Sequence, residues 1–260
     1  MKVTILGCGG SGGVPLIGPE WGSCNPENSK NRRRRVSILV QHDGANIVLD
    51  TSPDFRAQML DAGVGKLDAI LYTHDHADHT QGIDDVRFMR SYAKGQLIPA
   101  YGASATLGTL TARFPYIFKQ NTEGSGHLYK PFLEPKLADA PFDLAGLKVT
   151  PFEQSHGFGT KTLGYRLGPV AYSTDVVELP EAAFEILAGL DLWVVDCLRF
   201  EPHMTHAHFD KTMGWIERLK PKHAILTHMN HMVDYDVIRA KCPPGVEPGY
   251  DGLAVEVPTA

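Results

Sequence analysis

Cysteine is scarce in this sequence, and long apolar runs are missing. The 260 residues contain four cysteines, Cys8, Cys24, Cys197 and Cys242, which are widely spaced and form no Cys-x-x-Cys pair. This pattern indicates free thiols in a reducing compartment, so we expect a cytoplasmic location. No stretch approaches the roughly 20 apolar residues that cross a membrane. The apolar start of the chain breaks into glycines at Gly7, which is not typical of a signal peptide.

Positive charge is also in deficit. Lysine and arginine number 25 against 30 aspartates and glutamates, giving a net charge of −5. Stable nucleic-acid binding is therefore not expected. The one basic run, Arg32 to Arg35, is either a solvated surface or brings Arg35 to the mouth of a site, where it would contact a phosphate. Without linkers or low-complexity tracts, 260 residues that are 43% hydrophobic predict a single domain over residues 1–260.

The most informative stretch is residues 67–82, LDAILYTHDHADHTQG. Its apolar part, residues 67–72, has the length of a buried strand, and it ends in a cluster of side chains that bind metals. These are His74, Asp75, His76, Asp78 and His79. Two histidines two residues apart can point the same way, while the later pair turns toward a second point. Imidazole and carboxylate together suit zinc, manganese or iron, so one loop can serve two metal ions.

The remaining chain predicts alternating strands and helices. We expect strands at 2–7, 36–42, 46–50, 97–101, 147–152, 163–167, 170–173, 190–196, 223–227 and 253–257, and helices at 53–62, 82–94, 104–113, 180–188, 209–219 and 234–240. Ser52 before Pro53 predicts a helix N-cap with proline at the first helical position. Residues 114–145 show no stable period and are expected to form an irregular insert. The Gly7–Gly13 turn is either a simple loop or a backbone that brings N–H groups close to an anion.

Three further residues with metal-binding side chains each follow a predicted strand. They are His156, Asp175 and His228. Each alone would be interpreted as a turn or cap residue. The pattern His-x-His-x-Asp-His at residues 74–79, followed in order by His, Asp and His, resembles the signature of the metallo-β-lactamase superfamily. Within it the chain is most similar to PhnP-type phosphodiesterases, with ribonuclease Z a more distant relative.

The resemblance implies an α/β fold, the αββα four-layer sandwich, and two divalent metal ions per chain, zinc or manganese. By position, His74, His76 and His156 would bind one ion, Asp78, His79 and His228 the other, and Asp175 would bridge them. Such a pair activates water as a hydroxide nucleophile and polarises phosphoryl oxygens. The implied activity is phosphodiesterase action on a small, cyclic or nucleotide-like phosphodiester. Asp78 then counts among the catalytic residues as well as the metal ligands.

A proton donor for the leaving group is also implied. The segment 203–208 supplies His203, His206 and His208. Position in the PhnP-type pattern favours His206, and His208 is the alternative; both are expected to contact the substrate. Asp75 and Asp196 are expected to orient ligand imidazoles rather than to bind metal.

The chain departs from the PhnP pattern in one respect. Relatives often carry several cysteines in the region 15–30 that bind a structural zinc with a late histidine, whereas here only Cys24 and His231 are present. A third zinc is therefore not favoured. The alternatives left open are a thioester, lactone or RNA hydrolase on the same fold, and a metal-binding accessory protein without activity. The sequence also leaves open whether the chain is a monomer or a homodimer.

Overall fold

The computed structural model describes residues 1–89, 96–119 and 131–258. Within them, one sheet contains β1 (Lys2–Gly7), β2 (Ser37–His42), β3 (Ala45–Leu49), β4 (Ala69–Leu71), β5 (Ile98–Gly102), β6 (Leu133–Leu137) and β14 (Ala254–Glu256). The other contains β7 (Phe142–Leu144), β8 (Leu147–Ser155), β9 (Lys161–Leu167), β10 (Val170–Ser173), β11 (Leu192–Asp196), β12 (His223–Thr227) and β13 (Val246–Pro248). The strand orders are β14-β1-β2-β3-β4-β5-β6 and β13-β12-β11-β10-β9-β8-β7.

Helices flank both sheets. The described helices are α1 (Phe55–Asp61), α2 (Ala77–Thr80), α3 (Ser104–Arg113), α4 (Pro115–Phe118), α5 (Glu181–Ile186), α6 (Phe209–Leu219) and α7 (Tyr235–Lys241), with 3-10 turns at Ser29–Asn31 and Gln81–Phe88. Two sheets with helices on either side confirm the predicted αββα sandwich. No helix among the described residues is long and apolar enough to cross a membrane.

The first sheet is buried on both faces, which explains its nearly continuous apolar strands. Along β2, Ile38 and Val40 belong to the core that includes residues of both sheets, whereas Leu39 packs into a separate core with helix α1. Because side chains alternate across a strand, one segment supplies both cores. Such burial on two faces fits the central strands of a layered sandwich.

Each sheet contains a parallel block that brings strand ends together. Strands β3 to β6 pair in parallel, as do β10 to β13, and the other pairs are antiparallel. The carboxyl ends of parallel neighbours lie at one edge of a sheet, which is where side chains from different loops can meet.

Most predicted elements agree with the structure, but three differ. Helix α1 begins at Phe55, and Ser52 accepts the Asp54 N–H rather than capping the helix, so Pro53 lies outside it. Residues 81–88 form a 3-10 turn where a helix over 82–94 was expected; 90–95 lie outside the described residues. The supposed insert 114–145 contains α4, β6 and β7, apart from 120–130, which also lie outside them.

Candidate metal centre

The loop after β4 turns directly into helix α2. His76 is the residue before the first helical turn, with an extended backbone, and Asp78 and His79 lie within that turn. The rings of His74 and His79 remain close, with centroids 4.2 Å apart. A backbone bond from the His79 N–H to the His76 carbonyl, at 3.1 Å, fixes the turn.

The structure brings all seven predicted ligands together as two adjoining groups. Within each group, one potential ligand atom per residue lies within 4.8 Å of the others. The first group is His74, His76, His156 and Asp175, and the second is Asp78, His79, Asp175 and His228. Asp175 belongs to both groups.

The two oxygens of Asp175 face different groups. Its Oδ2 lies 3.7 Å from Nε2 of His74 and 3.7 Å from Nε2 of His156. Its Oδ1 lies 3.0 Å from Nε2 of His79 and 3.3 Å from Nε2 of His228. A carboxylate placed in this way can hold two cations at a fixed separation.

A left-handed backbone at three strand ends aims these side chains. Asp50 after β3, Asp175 after β10 and His228 after β12 have φ of 64°, 52° and 59°. This conformation is uncommon outside glycine but tolerated best by Asn, Asp and His. The backbone turns sharply at each of these three strand ends. Backbone strain of this kind is concentrated at functional sites.

Asp50 holds the loop after β4 in place through hydrogen bonds. Fully buried, it accepts a hydrogen bond from Nδ1 of His79 at 2.8 Å, and bonds from the backbone N–H and hydroxyl of Thr73 at 2.8 and 2.9 Å. The Thr73 hydroxyl also lies 3.0 Å from Nδ1 of His74. Carboxylates in this position fix the tautomer of a ligand histidine, leaving Nε2 free. Sequence reasoning missed Asp50, although a carboxylate directly after a buried strand was visible.

Two further contacts orient the other rings. Nδ1 of His156 donates to the carbonyl of Thr205 at 2.8 Å, and Nδ1 of His206 donates to Oδ2 of Asp196 at 3.0 Å. Asp196 therefore orients an imidazole as expected, although its partner is His206 rather than a predicted ligand. Asp75 was assigned the same role, and this was wrong. Its partly exposed carboxylate lies 3.7 Å from Nη2 of Arg113 and makes no hydrogen bond to a histidine among the described residues.

The donor atoms fit a cation better than they fit each other. Nε2 of His74, His79 and His228 and Oδ2 of Asp78 are buried and make no hydrogen bond among the described residues. With Nδ1 of His79 donating to Asp50, its Nε2 presents a lone pair toward carboxylates. Lone pairs that converge on carboxylates repel unless positive charge lies between them. Nitrogen and carboxylate donors in this arrangement suit zinc or manganese.

The electrostatics of the cluster agree with a need for positive charge. Burial lowers the pKa of His228, but Asp175 and Asp78 outweigh it and raise that pKa to about 9. Burial likewise favours protonated Asp175, yet the rings of His228 and His79 hold its pKa well below the usual value. Burial holds the pKa of His74 well below its ordinary value. Without metal, protons on some imidazoles would balance the carboxylates, and metal binding would displace them.

A cleft of about 260 Å³ opens onto the second group. Its lining is Gly10–Gly13, Leu16, Leu198, His203, His206, His228, Asn230 and His231. The ring of His206 stacks on that of His228 with centroids 4.7 Å apart, and its Nε2 is 3.9 Å from Asp175. The Gly10–Gly13 turn approaches closely, since a Cβ on Gly10 would lie 3.5 Å from the His228 ring.

Two predicted substrate contacts lie elsewhere. Arg35 does not line the cleft beside the histidines; its Nε lies 2.9 Å from Asp54 in a separate cleft of about 730 Å³ on the far side of the glycine turn. Asp54 also accepts the Arg35 N–H, which ties the arginine to that side. His208 is half-buried at the start of α6 and lines neither cleft. Of the two candidate proton donors, only His206 lies beside the predicted metal ligands.

Cys24 and His231, the two residues considered for a third zinc, have other surroundings. The Cys24 thiol donates to the carbonyl of Val233 at 3.2 Å, and Nη1 of Arg33 lies 3.9 Å from its sulfur. The metal-competent groups found among the described residues contain no cysteine. His231 lines the cleft next to His228.

Fold and site together define a class, the αββα sandwich proteins that carry a cluster of histidines and aspartates at their strand ends. A family profile described as a beta-lactamase superfamily domain matches residues 45–229. The chain belongs to the metallo-β-lactamase superfamily. It is similar to a solved diphosphatase of the PhnP family, with 38% identity and a TM-score of 0.89, covering 98% of this chain and 96% of that one. Human tRNase Z, short form, shares the fold, with 15% identity, a TM-score of 0.73 and full coverage of both chains.

The curated relatives have different names, and each match covers only part of the relative. An octanoyltransferase of Porphyromonas gingivalis is 33% identical over 256 residues, which are 97% of this chain and 51% of the relative. The anti-Pycsar protein Apyc1 of Saccharibacillus brassicae is 29% identical over 160 residues, which are 56% of this chain and 62% of the relative. The chain therefore spans about half the length of the first relative, and its match to the second covers about three-fifths of that protein.

Proposed function

We propose that this protein is a phosphodiesterase that hydrolyses a small or cyclic phosphodiester using two divalent metal ions, zinc or manganese. The observation that carries this proposal is the placement of Asp175 between two groups of histidines, with each oxygen facing one group. Similarity to a diphosphatase of the PhnP family, at 38% identity over nearly the whole chain, supports a phosphorus–oxygen bond as the target.

The ligand roles follow the two groups. His74, His76 and His156 would hold one ion, Asp78, His79 and His228 the other, and Asp175 both. Bound there, the two ions supply an activated water and offset charge on the phosphoryl oxygens. Although burial favours protonated Asp78, the rings of His79 and His228 hold its pKa well below the usual value, so this carboxylate stays charged.

His206 has the geometry of the proton donor. Its Nδ1 is committed to Asp196, so in the protonated ring the Nε2–H faces the cleft beside Asp175. The proton on Nε2 can be transferred to the oxygen that leaves phosphorus, and Asp196 stabilises the charged ring until this transfer. His203, whose ring centroid lies 5.3 Å from that of His206, lines the same wall.

The glycine turn offers donors for a phosphoryl oxygen. Gly13 N–H bonds to the Gly10 carbonyl at 2.8 Å, closing a turn whose central residues are Ser11 and Gly12. The backbone N–H groups of Ser11 and Gly12 donate to no partner in the described part of the chain, and both residues line the cleft. Successive backbone N–H groups in a turn form an anion-binding concavity.

Diphosphate hydrolysis is a second candidate, because the similar solved structure is called a diphosphatase. A diphosphate carries an additional negative charge, which proteins usually meet with arginine or lysine. Among the described residues, the lining of the cleft contains no arginine or lysine. We therefore place the phosphodiester first.

The test combines metal analysis with turnover on one preparation. Protein reconstituted with zinc or manganese is expected to hold about two ions per chain and to hydrolyse bis-p-nitrophenyl phosphate faster than P¹,P²-dimethyl diphosphate. Chelation should abolish the activity, and added metal should restore it. S-acyl thioesters and lactones assayed beside the diester decide among the alternative hydrolases.

A matched pair of variants on β12 provides the control. His228→Ala removes a proposed ligand, whereas His223→Ala removes a half-exposed histidine at the other end of the strand, paired with Glu247. Loss of metal and activity is expected only in the first. Two bound ions without diester hydrolysis would contradict the phosphodiesterase, and failure to bind any metal would contradict the whole assignment.

A further inference from the structure

His203 lines the cleft beside the second ligand group, yet neither metal binding nor proton donation uses it. Its ring centroid lies 5.3 Å from that of His206, and both residues line the cleft of about 260 Å³. The side chain of His203 is half-buried. A substrate that contacts His206 would therefore lie beside His203 as well.

The hydrogen bonds of His203 determine which ring nitrogen carries its proton. The backbone N–H of Thr205 donates to Nδ1 of His203 at 3.3 Å, and the Thr205 hydroxyl lies 3.2 Å from the same nitrogen. Because a backbone N–H can only donate, Nδ1 accepts, and the proton of the neutral ring is on Nε2. This Nε2 makes no hydrogen bond to any of the described residues. A ring N–H without a protein partner is therefore available at the cleft.

Thr205 also fixes the position of His203 relative to the predicted metal ligands. Its carbonyl accepts a hydrogen bond from Nδ1 of His156 at 2.8 Å. The loop that carries His156 packs against it, since a Cβ on Gly157 would lie 3.3 Å from the Cα of Thr205. One residue thus orients both a ligand ring and the ring of His203, and a donor held in this way loses little entropy when it binds a substrate.

His203 and His206 differ in what their Nδ1 atoms contact. Nδ1 of His206 donates to the Asp196 carboxylate, which favours the charged ring. Nδ1 of His203 accepts from an N–H, which favours the neutral ring. Burial, and next the charge of His206, lower the pKa of His203 below its ordinary value, in agreement with this geometry. A ring that stays neutral can orient a phosphate through its Nε2–H but is a poor source of protons.

We propose that His203 is a substrate-binding residue whose Nε2–H donates to a non-bridging oxygen of the phosphodiester. This inference rests on the proposed phosphodiesterase and adds to it a side-chain contact that positions the phosphate beside His206. The proton for the leaving oxygen still comes from His206, so no bond is made or broken at His203. Its contribution is therefore expected in substrate affinity, independent of the leaving group.

His203→Phe tests this contact, because it removes the donor and keeps a flat ring. Loss of a hydrogen bond to a charged group predicts a fall in kcat/KM of roughly 10- to 100-fold, mainly through a higher KM. The fall should be the same for bis-p-nitrophenyl phosphate and for a diester with an alkoxide leaving group. Inorganic phosphate, titrated calorimetrically into the metal-loaded protein, should bind more weakly by a similar factor.

Two further variants serve as controls. His203→Gln places an amide N–H near the position of Nε2, so it should recover part of the lost affinity. His208→Phe changes a histidine of the same segment that lines neither cleft, and it should leave KM and phosphate binding unchanged. Two bound ions are expected in all of these proteins, because His203 is not in either predicted ligand group.

The outcomes separate this contact from the proposed activity. Unchanged KM and unchanged phosphate binding in His203→Phe would overturn the role of His203 alone. A loss confined to the alkoxide leaving group would make His203 a proton donor, which would also overturn the proposal. If His203→Gln were no better than His203→Phe, the ring would pack rather than donate, with the same consequence. Failure of the metal-loaded protein to hydrolyse any diester would overturn the phosphodiesterase, while the phosphate titration would still decide whether His203 binds a phosphoryl oxygen.

Discussion

Oδ2 of Asp196 accepts a hydrogen bond from Nδ1 of His206 at 3.0 Å, and the same oxygen accepts the backbone N–H of Val176 at 3.0 Å. Val176 directly follows Asp175, the residue shared by the two ligand groups. One fully buried carboxylate thus contacts both the proposed proton donor and the turn that carries the aspartate shared by the two groups.

Replacement of the Asp196 carboxylate should lower kcat by an amount that depends on the leaving group of the substrate. Asp196→Asn is expected to lower kcat on the order of 100-fold for a diester with an alkoxide leaving group, within the usual range for general acid catalysis. The loss should be smaller than tenfold for p-nitrophenolate, which departs without needing a proton. Comparing kcat for the two substrates, with metal content determined in parallel, checks this.

His208→Ala is the control, since His208 lies at the start of α6 and lines neither cleft. It should leave the leaving-group dependence as it was. Equal losses on both substrates, or loss of bound metal in Asp196→Asn, would mean that Asp196 supports the metal site rather than the proton donor.

Asp50 offers a prediction about metal affinity. In Asp50→Asn the side chain tolerates the left-handed backbone at this position, but its amide can no longer accept from both His79 and Thr73. Groups that orient metal ligands usually contribute 10- to 100-fold to affinity, so we expect roughly that loss at the ion held by His79. Metal titration followed by calorimetry measures it.

The neighbouring carboxylate of Asp54 provides the comparison. It pairs with Arg35 in the other cleft, so Asp54→Asn should bind metal as the unaltered protein does. Unchanged binding of both ions in Asp50→Asn would show that the Thr73 and His79 contacts are not needed to hold the ring.

The ligand set was predictable because every member lies next to a strand end. A buried strand is recognisable as an apolar run, and parallel neighbours such as β10, β11 and β12 bring their carboxyl ends to one edge. The resemblance of their order to the superfamily signature then assigned Asp175 and His228 to one site. Their roles as ligands stay predictions until metal is measured, as do the cytoplasmic location and the oligomeric state.

Other features depend on contacts that no local pattern contains. Asp50 reaches His79 because β3 pairs with β4, which brings the Asp50 N–H to the Leu71 carbonyl at 3.0 Å. Strand β6 was missed because Pro135 and alternating charges conceal it; such residues are tolerated at a sheet edge, where β6 lies in the described order.

The burial of Arg33 also depends on contacts that no local sequence pattern contains. This burial leads to a prediction about the free energy of unfolding. The backbone N–H and carbonyl of Arg33 both bond to Val14, and the residue is only 2% exposed. Its Nη1 donates to the carbonyl of Asn230 at 3.2 Å, and its Nη2 donates to the side-chain oxygen of Asn31 at 3.2 Å. Arg33→Met would remove both of these hydrogen bonds from a charged donor. We expect a loss of about 2–4 kcal/mol in the free energy of unfolding, measured by urea denaturation.

Its neighbour supplies the control. Arg32 is exposed and stacks over Trp21 at 5.2 Å, so Arg32→Met should change the free energy of unfolding by no more than about 0.5 kcal/mol. Similar values for the two variants would contradict the buried role of Arg33.

Asp251 predicts a pH dependence of stability. Burial raises its pKa from 3.8 to about 6, even though it accepts the Arg34 N–H at 2.8 Å and the Cys8 N–H at 3.3 Å. The folded state then binds its proton more tightly than the unfolded chain. The stabilisation is fully present below about pH 4 and is lost as the pH rises through about 6, to a total of up to about 3 kcal/mol.

Asp251→Asn cannot ionise, so it isolates this contribution. Relative to Asp251→Asn, the free energy of unfolding of the unaltered protein should fall between pH 4 and 7, and the difference should be constant above that range. Because Asp251 joins Cys8 to Arg34, the fall should accompany faster hydrogen exchange at the Gly9 N–H, which bonds to the Arg34 carbonyl at 2.8 Å. A difference that is flat across this range, or rises with pH, would show that Asp251 is ionised in the folded protein.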